Sequence, residues 1–504
     1  MENQGIGSWI HRRRVKSAGK VAVVDGARRR DYDELASRID RLASALADRG
    51  VAPGDRVGFL GANSIEFFET LFAAGTLGAV FVPLNLRLAP AEIAYQLDDA
   101  GVGLLVHDRE LEHLVTTPVH RVVVGEGAPA GERGERYEEV LGGGADERRD
   151  VPVALEDPAA ILYTSGTTGR PKGAVLSHGA LTWNTYNVLV DYDVTSDDIA
   201  LMISPLFHVA SLGMGALPTL LKGGTLVLQR RFEPGKALAA IQEHRITALS
   251  GVPTTFQMIA EHPAWADTDL SSLRKLTCGG SAVPARIVDA WEERGLAFSW
   301  GYGMTEASPG VTALPPRYSR EMASTTGLPH FFTDVRIVDG GGAPLPVGEI
   351  GEIEVRGPNL LSEYHGLPHA TAESFHDGWF RTGDLGRRDE RGFLTIADRS
   401  KDMIISGGEN IYPAEVEAVL LELDEIAAVA VIGVPDERWG EVGRAIVVPA
   451  EGARVDHELV AGHLDGRVAR YKIPKSTVVV DEVPRTASGK IRRAQLREQY
   501  ARAE

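Results

Sequence analysis

The sequence predicts an α/β protein of more than one domain, and three observations carry that expectation. Helical and strand-like hydrophobic patterns alternate over the first 120 residues, the rhythm of parallel sheets covered by helices. A chain of 504 residues is longer than one hydrophobic core serves. Hydrophobic residues at 43% and charged residues at 24% are the balance of a globular chain.

The elements follow in order. From Tyr32 to Arg49, the residues Leu35, Ile39, Leu42, Ala43 and Leu46 recur at the spacing of an amphipathic helix. Pro53-Gly54-Asp55 predicts a turn. Arg56 to Leu60 and Ala79 to Val82 read as short strands. Gly125 to Val151 is rich in Gly, Glu and Arg and contains Gly142-Gly143-Gly144; its low apolar content predicts an exposed loop. Leu201 to Ser204 is strand-like and is followed by Phe207-His208. Gly340-Gly341-Gly342 with Pro344, Pro346 and Gly348 predicts hairpin-type turns. Ile350 to Val355 and Phe393 to Ile396 continue an all-β stretch.

Bulk properties exclude some functions. A net charge of −17 is opposite to the basic footprint of a nucleic-acid binder. The single cysteine, Cys278, allows no intrachain disulfide and fits a reducing compartment. No apolar run reaches the roughly 18 residues of a spanning helix. Met1-Glu2-Asn3-Gln4 lacks the layout of a signal peptide, so a soluble cytoplasmic protein is expected. Trp9, Arg12, Arg13 and Arg14 are read as exposed groups of the kind that touch lipid, which keeps peripheral membrane contact among the alternatives. Monomer and homodimer are equally compatible. Between Arg467 and Glu504 ten Lys/Arg face four Asp/Glu, a basic segment suited to a polyanionic substrate.

The most informative stretch is Tyr163-Thr164-Ser165-Gly166-Thr167-Thr168-Gly169-Arg170-Pro171-Lys172-Gly173. Glycines let backbone N–H groups approach an anion closely, while hydroxyls and cations add donors and charge. These are the parts of a polyphosphate cradle. A Walker A loop is excluded, because Pro171 stands where that pattern has Gly before its Lys.

This stretch resembles the signature loop of the adenylate-forming superfamily, and further motifs follow in that family's order. They are Gly301-Tyr302-Gly303-Met304-Thr305-Glu306, Arg381-Thr382-Gly383-Asp384, Asp398-Arg399-Ser400-Lys401-Asp402, Ser406-Gly407-Gly408-Glu409-Asn410 and Pro484-Arg485-Thr486-Ala487-Ser488-Gly489-Lys490. The match from Asp398 to Asn410 resembles the fatty-acyl-CoA synthetase branch most. The resemblance implies two α/β subdomains plus a small β-barrel in residues 1–397. It also implies a small mobile α+β lid in residues 398–504, hinged at Asp398.

It further implies an ATP-dependent acid–CoA ligase, with magnesium, that forms an acyl-adenylate, releases pyrophosphate and transfers the acyl group to CoA. Thr164, Ser165, Gly166, Thr167, Thr168, Gly169 and Lys172 would hold the phosphates. Glu306, with Thr164, would serve magnesium, and Thr305 the α-phosphate. Asp384 and Arg399 would bind the ribose, and Gly279, Gly280, Ser281, Tyr302 and Gly303 the adenine. Lys490 would bridge carboxylate and phosphate in the first half-reaction. His208, Trp300 and Gly301 would border the acid. Ser406, Gly407, Gly408 and Glu409 would line the pantetheine channel, with Lys472, Arg470 and Lys475 near the CoA phosphates.

Val209, Ala210, Leu212, Met214 and the small Gly213, Gly215 and Ala216 include no cation for a second carboxylate, which favours an apolar monocarboxylic acid. Trp300 departs from the family pattern, where a polar side chain meets the adenine amine; an indole N–H cannot accept from an amine. Its ring would take over part of the adenine site, close the acyl pocket, or pack. Two rivals remain. One is an adenylating enzyme that hands the group to a carrier protein, an amine or another nitrogen nucleophile. The other is an inactive nucleotide-binding regulator, against which the intact Lys490, Glu306 and Asp384 weigh.

Overall fold

The helix expected from Tyr32 runs over Tyr32–Asp48, and Asp31 starts it. The Asp31 carboxylate accepts the Glu34 N–H at 2.8 Å while Glu34 accepts the Asp31 N–H at 3.3 Å, a reciprocal cap for otherwise unpaired donors. In the computed structural model, residues 2–126, 134–149, 151–164, 170–279, 283, 285–399, 403–484, 491 and 493–501 are described.

Two large sheets organise the chain up to residue 364. The first has seven strands in the order Phe298–Trp300, Lys275–Cys278, Ala248–Gly251, Ile199–Met202, Thr225–Leu228, Val21–Asp25, Arg28–Asp31. All pairs are parallel except the final hairpin. The second has eight strands and runs from Glu363–Tyr364 through Lys172–Ser177, Pro158–Thr164 and Val80–Pro83 to Arg56–Leu60, Val102–Asp108, His120–Val124 and Gly134–Arg136. Helix Ile65–Leu77 is buried on every face, as a helix enclosed by packed layers must be. Its two carboxylates are neutralised where they lie: Glu66 accepts from Arg28, and Glu69 from Arg38 and the Tyr137 hydroxyl.

Tyr137 corrects one expectation. The stretch 125–151 is not simply an exposed loop, for it contains strand Gly134–Arg136 and helix Tyr137–Gly143. Tyr137, Val140 and Leu141 are buried. Three apolar residues at i, i+3 and i+4 suffice for a short packed helix, although the mean composition is polar. A second correction concerns the N-terminus. Trp9 is only 5% exposed, the Arg13 guanidinium donates to the Leu221 carbonyl at 2.6 Å, and Arg14 faces Asp33 and Asp40. Trp9, Arg13 and Arg14 are thus engaged by the fold and not the free exposed groups expected, while Arg12 stays exposed. No helix among the described residues is long and apolar enough to cross a membrane.

Between residues 334 and 399 the strands pair antiparallel. Strands Asp334–Val338, Gly351–Arg356, Trp379–Arg388, Phe375–His376 and Leu394–Arg399 form one five-stranded unit. From Ile404 on, a separate sheet of Ile404–Ser406, Glu409–Ile411, Ile426–Asp436, Gly440–Pro449 and Ser476–Val479 pairs only within itself. Helices Pro413–Leu420 and His457–Leu464 pack on its apolar core. The fold is α/β with mixed sheets and a small C-terminal α+β unit.

Candidate active site

The predicted phosphate loop springs from a hairpin. Strands Pro158–Thr164 and Lys172–Ser177 pair antiparallel, with Thr164 opposite Lys172. Ser165, Gly166, Thr167, Thr168 and Gly169 lie outside the described residues, as do Gly280, Ser281 and Lys490. The Lys172 ammonium sits 5.1 Å from the centre of the Tyr364 ring, a favourable cation–π distance. The Tyr364 hydroxyl donates to Glu306 Oε1 at 2.8 Å. Burial, then the Glu306 charge, pushes its pKa far up, so it remains a neutral donor. Strand pairing sets this chain of contacts. Tyr364 registers opposite Ala174, and the Leu361 N–H holds the Glu306 carbonyl at 2.7 Å. No motif singled out Tyr364; its role follows from its register beside Lys172–Ser177.

Thr305 and Glu306 occupy a 3-10 turn, Thr305–Ala307. The adjacent Tyr302 donates its hydroxyl to Asp384 Oδ2. Asp384 stands on strand Trp379–Arg388, where its N–H bonds the Thr382 hydroxyl at 3.1 Å, and that hydroxyl is anchored on the Ile353 carbonyl at 2.7 Å. The backbones of Asp398 and Arg399 pair with Leu385 and Asp384. At Gly279 no atom of the described residues lies within 4 Å of where a Cβ would stand. Gly301 and Gly303 are required for another reason: a Cβ would come within 2.1 Å of the Thr312 and Pro309 carbonyls respectively.

Alternation along the seven-stranded sheet decides Trp300. In parallel strands, registered partners share a face. Cys278 registers with Trp300, and Thr277 with Ser299. Trp300 therefore joins Cys278, Phe298 and Trp291 in the helix-covered core, 7% exposed. Its indole N–H donates to the Thr325 carbonyl at 2.8 Å. Gly301, one residue on, faces the opposite side with Ser299 and Thr277. Of the three readings of Trp300, packing agrees with this geometry.

That opposite side bears the acid-pocket candidates. Asn63 holds the turn before His208 by donating to the Ser204 carbonyl at 2.9 Å and accepting the Leu206 N–H at 2.9 Å. A π-helical stretch, Ser211–Ala216, follows, a geometry frequent at functional sites. Asn184 clamps it by donating to the Gly213 carbonyl and accepting the Gly310 N–H, both at 3.0 Å.

The C-terminal unit reaches this site through Glu409, which is not a simple channel-lining residue. It is 3% exposed and accepts from Arg87, from Asn85 at 3.2 Å and from His208 Nε2 at 3.2 Å. Burial works to raise its pKa, but His208, Arg87 and Asn85 outweigh burial and hold it at about 2. Beside it Ser406 is buried, and Gly407 and Gly408 have φ of 58° and 85°, the left-handed region that glycine tolerates. A Cβ on Gly408 would stand 3.3 Å from Val252. Lys472, expected near CoA phosphates, is corrected likewise. It is 2% exposed, and its ammonium is taken by Glu92 and Glu415. Arg470 and Lys475 stay on the surface. Arg87, Asn85 and Glu92 were missed because their partners lie more than 300 positions away.

Fold and site together fit an adenylate-forming enzyme: an α/β body carrying the candidate site, and a small C-terminal unit that meets it through Glu409. Residues 10–365 match the family described as AMP-binding enzyme, and residues 415–490 match the AMP-binding enzyme C-terminal domain. The chain is 50% identical over 501 residues to a feruloyl-CoA synthase of Amycolatopsis sp, covering 99% of this chain and 100% of that one. It is 42% identical over 502 residues to the indoleacetate–CoA ligase of Aromatoleum aromaticum, covering 99% and 98%. A double mutant of the o-succinylbenzoate CoA synthetase of Bacillus subtilis, bound with a product analogue, superposes with a TM-score of 0.88. It is 32% identical, covering 97% of this chain and 98% of that one. The chain belongs to the AMP-binding enzyme family, in its acyl-CoA synthetase branch. It is an AMP-forming acid–thiol ligase whose substrates are a small carboxylic acid, ATP and CoA.

Proposed function

We propose that this ligase activates an aromatic monocarboxylic acid. The whole-length similarity to ligases named for ferulate and indoleacetate supports that reading over a fatty acid. The observation that carries the site assignment is the linked set Lys172–Tyr364–Glu306 beside Tyr302–Asp384. Lys172 and the loop from Thr164 to Gly169 hold the β- and γ-phosphates. Thr305 meets the α-phosphate, Asp384 and Arg399 the ribose, and Tyr302, Gly303 and Gly279–Ser281 the base. Glu306 offers a single carboxylate, which fits magnesium because that ion keeps most of its waters and takes one or two carboxylates. Bound there, the ion neutralises phosphate charge.

In the first half-reaction a carboxylate oxygen attacks the α-phosphorus, and pyrophosphate leaves. Lys490 bridges the two anions as charge develops, so positioning and electrostatics do the work. In the second, the CoA sulfur, having lost its proton, attacks the acyl carbonyl, and AMP leaves. The Glu409 contacts with Arg87 and His208 support an arrangement suited to this second step. The change of strand partners between Arg399 and Ile404 supports a lid of 398–504 hinged at Asp398 on a body of 1–397. We infer a cytoplasmic enzyme, a reading supported by a single cysteine that allows no intrachain disulfide.

The test is a panel of cinnamic, 4-hydroxy-3-methoxycinnamic, indoleacetic, octanoic, dodecanoic and malonic acids, reading AMP release and CoASH consumption. Aromatic acids should exceed alkanoic ones by tenfold or more in kcat/KM, with AMP and thioester formed one to one. Preference for alkanoic acids overturns the substrate reading. AMP release without CoASH loss overturns the acceptor.

A further inference from the structure

A cavity lies on the face of the seven-stranded sheet opposite Trp300. Its walls include Ala200, Met202, Ser250 and Thr277 from the strands, and Met214 and Gly215 from the π-helical stretch. Alternation continues these strand positions to Ser204, Val252 and Gly279 at the strand ends. The cavity is therefore collinear with the acid pocket. At ~3.3 Å per strand residue, Thr277 is about 7 Å and Lys275 about 13 Å from Gly279, the span of an aryl ring and a short acid arm.

The far end is polar in one particular way. Lys275 lines it, but its ammonium donates to the Asp193 carbonyl at 2.6 Å and to Asp198 at 2.5 Å. Thr219 donates to the Gly215 carbonyl at 2.8 Å. Tyr192 is also among the lining residues; its hydroxyl is closed off from solvent and has no hydrogen-bond partner among the described residues. Burial pushes its pKa up, so it is a neutral donor and acceptor. A buried hydroxyl left unpaired costs stability, which a ligand oxygen would recover. The space is small, about 30 Å³ for the centre of a water molecule, roughly two waters' worth. That suits an oxygen substituent, with Met202 and Met214 as the adaptable walls that admit the ring.

We propose that Tyr192 reads a hydroxyl or ether oxygen at the end of the acid remote from its carboxylate. The inference rests on the aromatic-acid reading for the identity of the ring, and it extends that reading to a para- or meta-oxygenated acid. Because a site built to hydrogen-bond an oxygen rejects the analogue lacking it, Tyr192 would set specificity without touching the reacting atoms.

The experiment compares matched acids: cinnamic with 4-hydroxycinnamic, and dodecanoic with 12-hydroxydodecanoic, in the full-length protein with ATP and CoA. Wild type should favour the oxygenated member of the better pair. Tyr192→Phe removes one oxygen and keeps the ring, and it should cut that preference about tenfold through the acid's KM, with KM for ATP unchanged. Thr277→Val, which removes another hydroxyl from the wall, should leave the preference in place. An unchanged ratio in Tyr192→Phe, or loss of preference in Thr277→Val alone, overturns the proposal. Turnover of aromatic acids with an unchanged ratio refutes Tyr192 and leaves the aromatic reading standing. Turnover of alkanoic acids alone refutes the aromatic reading, and the second pair still decides Tyr192.

Discussion

Glu409→Gln removes one charge from the contact between the C-terminal unit and the body while keeping the side chain's shape. With the two parts docked, the carboxyl sits at about 2, against an ordinary value of 4.5 when exposed. At ~1.36 kcal/mol per pKa unit, that difference favours docking by about 3 kcal/mol. Arg87 is 44% exposed and His208 39% at their side chains, so screening by solvent removes about half. About 1.5 kcal/mol remains, roughly a tenfold loss of the docked arrangement.

Because the docked pKa is depressed, the contribution is complete above about 4.5 and fades as pH falls from there towards 2. At neutral pH the variant should therefore lose about tenfold in thioester formation from preformed acyl-adenylate and CoA. ATP–pyrophosphate exchange should stay near wild type. Single-turnover quench measurements of both half-reactions give the two rates. An equal loss in both, or no loss in thioester formation, would refute the docking argument.

Other outcomes follow from the same geometry. Lys490→Ala should abolish adenylate formation from acid and ATP but leave thioester formation from preformed adenylate largely intact, as measured by the same two assays; parallel loss would contradict its role. Glu306→Gln should raise the magnesium concentration needed for half-maximal rate and lower turnover by about 10²-fold or more, and a wild-type magnesium titration would mean Glu306 is no ligand. Trp300→Phe removes the donor to the Thr325 carbonyl and should cost about 1–3 kcal/mol, seen as a lower unfolding midpoint. KM for ATP and the order of preferred acids should not move, and a shift in either would restore Trp300 to the site.

The proposed nucleotide site could be read from the sequence because its parts are short contiguous motifs. Glycines, hydroxyls and carboxylates at local spacing carry their chemistry wherever the chain places them. Helix Tyr32–Asp48 was legible for a similar reason, since its cap and apolar stripe are local. Composition misled at 125–151, where three apolar residues anchor a helix within a polar stretch. Trp300 could not be placed by sequence, because which face of a strand a residue takes depends on pairing register. Tyr364, Arg87 and Glu92 were invisible for a stronger reason. Each meets a partner distant in sequence, Glu306, Glu409 and Lys472 respectively, and no local pattern marks such a contact. Lys472 shows the limit most plainly: a cation in a basic segment by sequence, it is buried between two carboxylates by folding, because an ammonium taken out of water must have its charge balanced.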